Sequence, residues 1–115
     1  MHEQFGRYFF EKKDYEIAVK HFQEGIEADK ENLLPSLKVN LGHAYLAMKN
    51  LNAAVNEYFI VLSTHPENFD AYIALYNIAI ATHNEEMEKA FLEFLQRIES
   101  GGTVDFEKEI LPFAT

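Results

Sequence analysis

Two stretches of the chain repeat one another at a fixed distance. Gly6 is matched by Gly42, Phe9 by Tyr45, Ala18 by Ala54 and Phe22 by Tyr58, each pair 36 residues apart. An internal period of this size marks a stacked array, because each repeat is a supersecondary unit too small to bury its own apolar face. The unit itself reads as a pair of helices. Phe5 and Phe9, then Ile17, Ala18, Phe22 and Ile26, recur at helical spacing from Phe5 to Glu11 and from Tyr15 to Ala28, with Lys12, Lys13 and Asp14 as a polar break. Leu37, Leu41, Ala44, Tyr45 and Met48 repeat the layout, with a break at Lys49 and Asn50 before Ala54, Tyr58, Val61 and Leu62. A third pair is expected over Asp70 to Thr82 and Glu85 to Ile98, with Asn84 as N-cap and acids in the turn after it. Ser100, Gly101 and Gly102 stop that last helix, since glycine accepts the left-handed geometry of a C-terminal cap. Only three prolines, at 35, 66 and 112, and five glycines interrupt the chain, and period-two alternation runs nowhere long enough for a strand. The expectation is an all-α fold of three helix pairs stacked on one another, followed by a tail or capping helix.

These residues resemble the tetratricopeptide repeat family, whose 34-residue unit is two antiparallel helices marked by Leu, Gly and Tyr, then Ala, an aromatic and a closing Pro. Repeat two, residues 35–68, supplies Leu41, Gly42, Tyr45, Ala54, Tyr58 and Pro66 at the family spacing and lacks only the early Trp, near Leu37 and Lys38. Repeat one, residues 1–34, has Gly6, Phe9, Tyr15, Ala18 and Phe22, with Lys30 in place of the closing Pro. Two extra connector residues around Asn32 to Leu34 make the offset 36. Repeat three, residues 69–102, diverges: Tyr72 and Leu75 fit, but Tyr76 stands for Gly and Ala79 for Tyr, and its second helix is only loosely in register. The resemblance implies three antiparallel helix hairpins stacked as a short right-handed superhelix, with residues 103–115 as the tail. Gly6 and Gly42 let the helices of a hairpin approach, Ala18 and Ala54 do so from the opposite helix, and the aromatics fill the space between hairpins. The first helix begins almost at the start of the chain without a capping residue, which suggests a piece of a longer array.

Composition narrows the function. The net charge is -9 with neutral His, from nineteen acids and ten bases, so a phosphate backbone is repelled and no nucleic acid is expected. The absence of cysteine removes a disulfide framework, a thiolate zinc site and a cysteine nucleophile. No apolar run approaches a membrane span, and no signal peptide opens the chain, so the cytoplasm is the expected location. Histidines stand at 2, 21, 43, 65 and 83, none paired at the spacing that puts two ligands on one helix face, so no metal and no cofactor are expected. Glu85, Glu86 and Glu88 read as a solvated helix start, and no nucleophile or phosphate-binding motif occurs. His43 with Glu11 or Asp70 is the one acid–base set a groove would offer, and an enzyme is not expected.

The resemblance instead implies binding of a protein or peptide on a concave surface lined by the first helix of each hairpin. In family register that groove takes Arg7, Phe10 and Glu11 from repeat one and Val39, Asn40, His43, Leu46 and Ala47 from repeat two. Repeat three adds Asp70, Ile73, Asn77, Ile80 and Ala81. The family's carboxylate clamp for chaperone tails is matched by Asn40 alone. Glu3, Arg7, Asp70 and Ala74 hold the other places, and the two acids would repel an acidic tail. An apolar floor with a few amides suits an amphipathic helix or an extended apolar peptide, with Leu46, Ile73 and Ile80 as anchors, although each is equally readable as interhelical core. Charge by repeat is uneven: eight acids and five bases over 1–34, two and two over 35–68, nine and three over 69–115, that is -3, 0 and -6. The neutral middle repeat therefore offers a surface for a partner or a second copy. The tail, with Ile110, Leu111 and Phe113 among acids, either caps the array as a partial helix ending before Pro112, or fills the groove of its own or another copy as a homodimer. Asn84 to Phe91, behind Ala71 and Tyr72, also looks like a repeat of the large tetratricopeptide subunit of intraflagellar transport complex B, with Asn40, Leu41, Gly42 and Tyr45 similar to the preceding repeat there. That narrower likeness implies a ciliary scaffold.

Overall fold

The computed structural model describes residues 2–114, and among them only helices and connecting turns occur. In chain order these are α1 (His2–Glu11), α2 (Tyr15–Ala28), α3 (Pro35–Ala47), α4 (Leu51–Thr64), α5 (Phe69–Ala81) and α6 (Glu85–Glu99), then a π-helical turn (Phe106–Ile110) that runs into α7 (Leu111–Ala114). The helix boundaries follow local chemistry. Pro35 sits in the first turn of α3, where its missing N–H costs nothing. Asn68 and Asn84 cap α5 and α6, their side-chain oxygens accepting from Ala71 N at 3.0 Å and Met87 N at 3.1 Å. Glu85, Glu86 and Glu88 then oppose the positive end of the α6 dipole and Arg97 the negative end.

The three hairpin turns are copies of one geometry. Asp14, Asn50 and Asn84 donate their backbone N–H to Phe9, Tyr45 and Ala79 carbonyls, each at 2.9 Å, and the residue before each donor, Lys13, Lys49 or His83, is left-handed at φ of 66°, 65° and 57°. This is the Schellman arrangement that satisfies the orphan carbonyls of a helix end. The first two turns are 36 residues apart and the last two 34, so the third hairpin turns in strict family register although its sequence signature is weak. The end of α6 uses the same motif, with Gly102 N on Arg97 O at 2.7 Å and Gly101 at φ 88°. Between α2 and α3 the two-residue excess is absorbed by Asn32 at φ 55° and by Asp29, whose carboxylate accepts from Leu33 N and Leu34 N at 2.9 and 2.7 Å.

The chain divides into two compact units, Met1–Glu57 and Tyr58–Thr115. In the first, Ala18, Phe22, Leu37, Leu41 and Ala44 form the core, with Phe9, Phe10, Val19, Ile26 and Tyr45 packed around it. Gly6 is indispensable there, since a Cβ on it would lie 2.3 Å from the Phe22 ring. Burial of a side chain such as Phe22 contributes about 2 kcal/mol. In the second unit an aromatic cluster takes that part: Phe91 meets Phe59, Tyr72, Phe94 and Phe113 at ring-centroid distances of 5.1–6.4 Å, mostly edge to face. The tail lies against α6. Val104 and Ile110 are buried, and Arg97 donates to both oxygens of Glu109 at 2.8 and 2.9 Å and to Glu93 at 2.7 Å. Pro112 therefore does not end the tail helix. It falls inside the first turn of α7, where no intrahelical N–H bond is due.

Candidate functional site

In the first unit the turn geometry sets α1 antiparallel to α2, and α3 packs on α2, which leaves the Arg7–Glu11 side of α1 facing the Asn40–His43 side of α3. Arg7, Phe10, Glu11, Asn40 and His43 line one small cleft of about 60 Å³ whose floor is Phe22. Phe22 itself is 1 % exposed and belongs to the core. The five rim residues are among the eight of this unit named from the family register, and they come from α1 and α3. Asn40 Nδ2 donates to Glu3 Oε2 at 3.2 Å, so the amide that matches the chaperone-tail clamp is engaged by the chain's own carboxylate.

Val39 does not belong to this surface. It is 4 % exposed and part of the core, because α3 is apolar around most of its circumference and buries Leu37, Val39, Leu41 and Ala44 on more than one side. Leu46 and Ala47, further along α3, are half-buried. At the turn of the first hairpin, Lys13 to Ile17 and Met48 border a broader hollow of about 370 Å³, and at its open end His2, Glu3, Gly25, Ala28, Asp29, Leu34 and Leu37 border another of about 280 Å³. Burial raises the Glu57 carboxyl above its ordinary value, partly offset by Lys38.

The second unit presents a different kind of surface. α5 buries Ala71, Tyr72, Ala74, Leu75, Ile78 and Ala79, yet Ile73 and Ile80 stay 37 % and 44 % exposed, and Phe69 37 %. Ile73 and Ile80 are seven residues apart, two turns along one face, and Phe69 extends that face by one turn toward the N-terminus. Asn77 and Ala81 are exposed beside them. A helix apolar on its outward side as well as its inward side is not explained by its own core. Phe69 was legible as part of this stripe from the spacing Phe69, Ile73, Tyr76, Ile80. It is obscured because Asp70 looks like the natural helix start, whereas Asn68 holds the capping position.

The signature residues take structural places. Gly6, Ala18, Phe22, Leu41, Gly42, Ala54 and Tyr58 are buried, and Phe9, Tyr45 and Pro66 half-buried. The Tyr45 hydroxyl accepts from Gln23 Nε2 at 3.2 Å, and the Tyr72 hydroxyl donates to the Pro66 carbonyl. Burial raises both the Tyr58 and Tyr72 hydroxyls well above the ordinary phenol range. Among the described residues, His2, His21 and Glu24 form a set with metal-ligand chemistry. Spacing along one helix shows only His21 and Glu24, since His2 comes from the other helix of the hairpin. No described helix is long and apolar enough to cross a membrane.

No curated protein matches the chain at a significant level. A model of the tetratricopeptide repeat family matches residues 1–32 and again 35–58, which are the α1–α2 hairpin and the start of the next through Tyr58. With that match falling on the repeated glycine, alanine and aromatic positions, and with three identical hairpin turns, the chain belongs to the tetratricopeptide repeat family, whose repeats are in general protein–protein interaction modules.

Proposed function

We propose that this chain is a non-enzymatic interaction module that captures an amphipathic helix or an extended apolar peptide. The observation that carries the reading is the exposed apolar stripe of α5, Ile73 and Ile80 with Phe69, on a helix whose opposite side already fills the core. Side chains two turns apart on one face match the anchor spacing of a helix laid into a groove. Asn77 beside them supplies an amide for a peptide backbone. In the other unit the cleft of Arg7, Phe10, Glu11, Asn40 and His43 offers a mixed polar rim.

A chaperone-tail clamp has little support, since Glu3 already occupies Asn40 and adds a negative charge beside it. The intraflagellar transport reading rests on Asn84 to Phe91. In that stretch Asn84 and the three glutamates cap a helix, while Met87 and Phe91 fill the core, roles that any hairpin of this family requires. Self-association through a tail in the groove is also weakened, because the tail is engaged by Arg97 and Phe91 of its own α6.

The test is fluorescence anisotropy with labelled amphipathic helical peptides and scrambled controls of the same composition. Wild-type chain should bind the amphipathic set, and the Ile73→Asp/Ile80→Asp variant should lose at least tenfold in affinity while keeping its helical circular dichroism. Equal binding of the scrambled peptides, or an unaffected double variant, would remove the assignment.

A further inference from the structure

The open end of the first hairpin brings His2 to two groups that lie far from it in the sequence. His2 lies in the first turn of α1, while His21 and Glu24 stand three residues apart on α2, where that spacing shares a helix face. Because the two helices run antiparallel from the turn at Lys12 to Asp14, His2 arrives opposite them. One ligand atom from each of the three lies within 4.8 Å of the other two.

Two further observations separate this set from an ordinary surface cluster. The Nδ1 atoms of both His2 and His21 are buried, and neither has a hydrogen-bond partner. Buried imidazole nitrogens without partners are disfavoured, and native structures ordinarily satisfy them. The nearest carboxylate oxygen, Glu24 Oε2, is 3.6 Å from His2 Nδ1, too far for a hydrogen bond. The His21 ring, meanwhile, is held in place. It stacks on Phe9 with centroids 5.4 Å apart and planes 2° from parallel, and Phe5 closes on it at 5.6 Å.

From this geometry we propose that His2, His21 and Glu24 form a binding site for a divalent transition-metal ion of the zinc class. Two imidazoles and one carboxylate are the donor set of open zinc sites and suit Zn²⁺ or Co²⁺ better than Mg²⁺ or Ca²⁺. Ligands at the usual zinc distances stand about 3.3 Å apart, so the three groups must close by at most about 1.5 Å. Glu24 and His2 have room to do so, with side chains 42 % and 39 % exposed, while the stacked His21 is the fixed point. Three protein ligands leave a fourth position for water or for a group from a partner. The net charge of -9 also favours a cation. Bound metal clips the start of α1 to the middle of α2 and so stabilises the first hairpin, since the ligands converge only when that hairpin is folded.

The experiment uses the full chain without an affinity tag, stripped with chelator and titrated with Zn²⁺ by calorimetry and with Co²⁺ by visible absorption. One equivalent should bind at sub-millimolar concentration, with Co²⁺ bands of low coordination number and a rise in melting temperature on adding Zn²⁺. Glu24→Gln, which touches no ring contact, and His2→Asn, which removes only the tilted His2 ring 6.3 Å from His21 and leaves the Phe9 and Phe5 contacts, should each weaken binding at least tenfold and abolish the rise. His65→Asn, at a histidine of the other unit, should change nothing. Absence of binding, or binding that survives both variants, overturns the proposal.

Discussion

Gly6 is the position where one atom decides whether the first hairpin closes. A Cβ there would stand 2.3 Å from the Phe22 ring, which is itself 1 % exposed and cannot swing away. At Gly25 an added Cβ meets a terminal methyl of the buried Leu37 at 2.9 Å and the Cβ of His2 at 3.1 Å, a milder clash than the one at Gly6. Alanine gains about 1 kcal/mol of helix propensity over glycine, whereas overpacking a filled core costs about 1–3 kcal/mol. Gly6→Ala is therefore expected to destabilise by up to about 2 kcal/mol net, and Gly25→Ala by clearly less, as read from urea unfolding midpoints. Phe22→Leu in the Gly6→Ala background should recover part of the loss. Matched loss at the two glycines would mean that the ring is not the obstacle.

At the scale of elements, the tail and α6 are joined by chemistry that responds to pH. The Glu109 carboxyl is held below its ordinary value of 4.5 by the Asp105 backbone N–H and by Arg97, which donates to both of its oxygens. A lowered folded value means that the charged form is the one the fold favours. The docking that Glu109 adds is thus fully present above pH 4.5 and is lost as pH falls through the lower folded value. Hydrogen exchange of residues 104–114, corrected for intrinsic rates, should lose protection several-fold on moving from pH 6 to pH 3. In Glu109→Gln that pH dependence should flatten, with the tail already less protected at pH 6. An unchanged profile in the variant would show that Val104, Ile110 and Phe113 hold the tail without help from the ion pair.

For the whole molecule, charge and exposed apolar surface pull in opposite directions. At neutral pH the charge of -9 keeps copies apart, while Ile80, Leu33, Leu34 and the other exposed apolar side chains offer contact. The charge vanishes near the sequence pI of about 4.9. Light scattering should therefore report reversible association as pH is lowered from 7 toward 5, or as salt is raised at pH 7. The Ile73→Asp/Ile80→Asp variant should resist it at pH 7 in high salt. Association of the variant equal to wild type would place the contact elsewhere, with Leu33 and Leu34 as the next positions to change.

The helices, the hairpin period and the family are legible along the chain, because capping, turn chemistry and apolar spacing are local and each leaves its mark within a few residues. Asn84 announced the start of α6, and the matched glycines, alanines and aromatics announced the repeat. Even so, the divergent third repeat looked out of register, since Ala79 and Tyr76 hide a turn whose backbone repeats the second at a spacing of 34 residues. Side-chain identity varies where backbone geometry does not. Which face of each helix is spare emerges only once the chain is packed. Val39 and Ile73 are both β-branched residues of a first helix, yet one is core and the other exposed, because burial depends on neighbours far away in the chain. The meeting of His2 with His21 and Glu24 is of the same kind. No spacing along one helix encodes it, and it exists because the turn at Lys13 folds α1 back along α2.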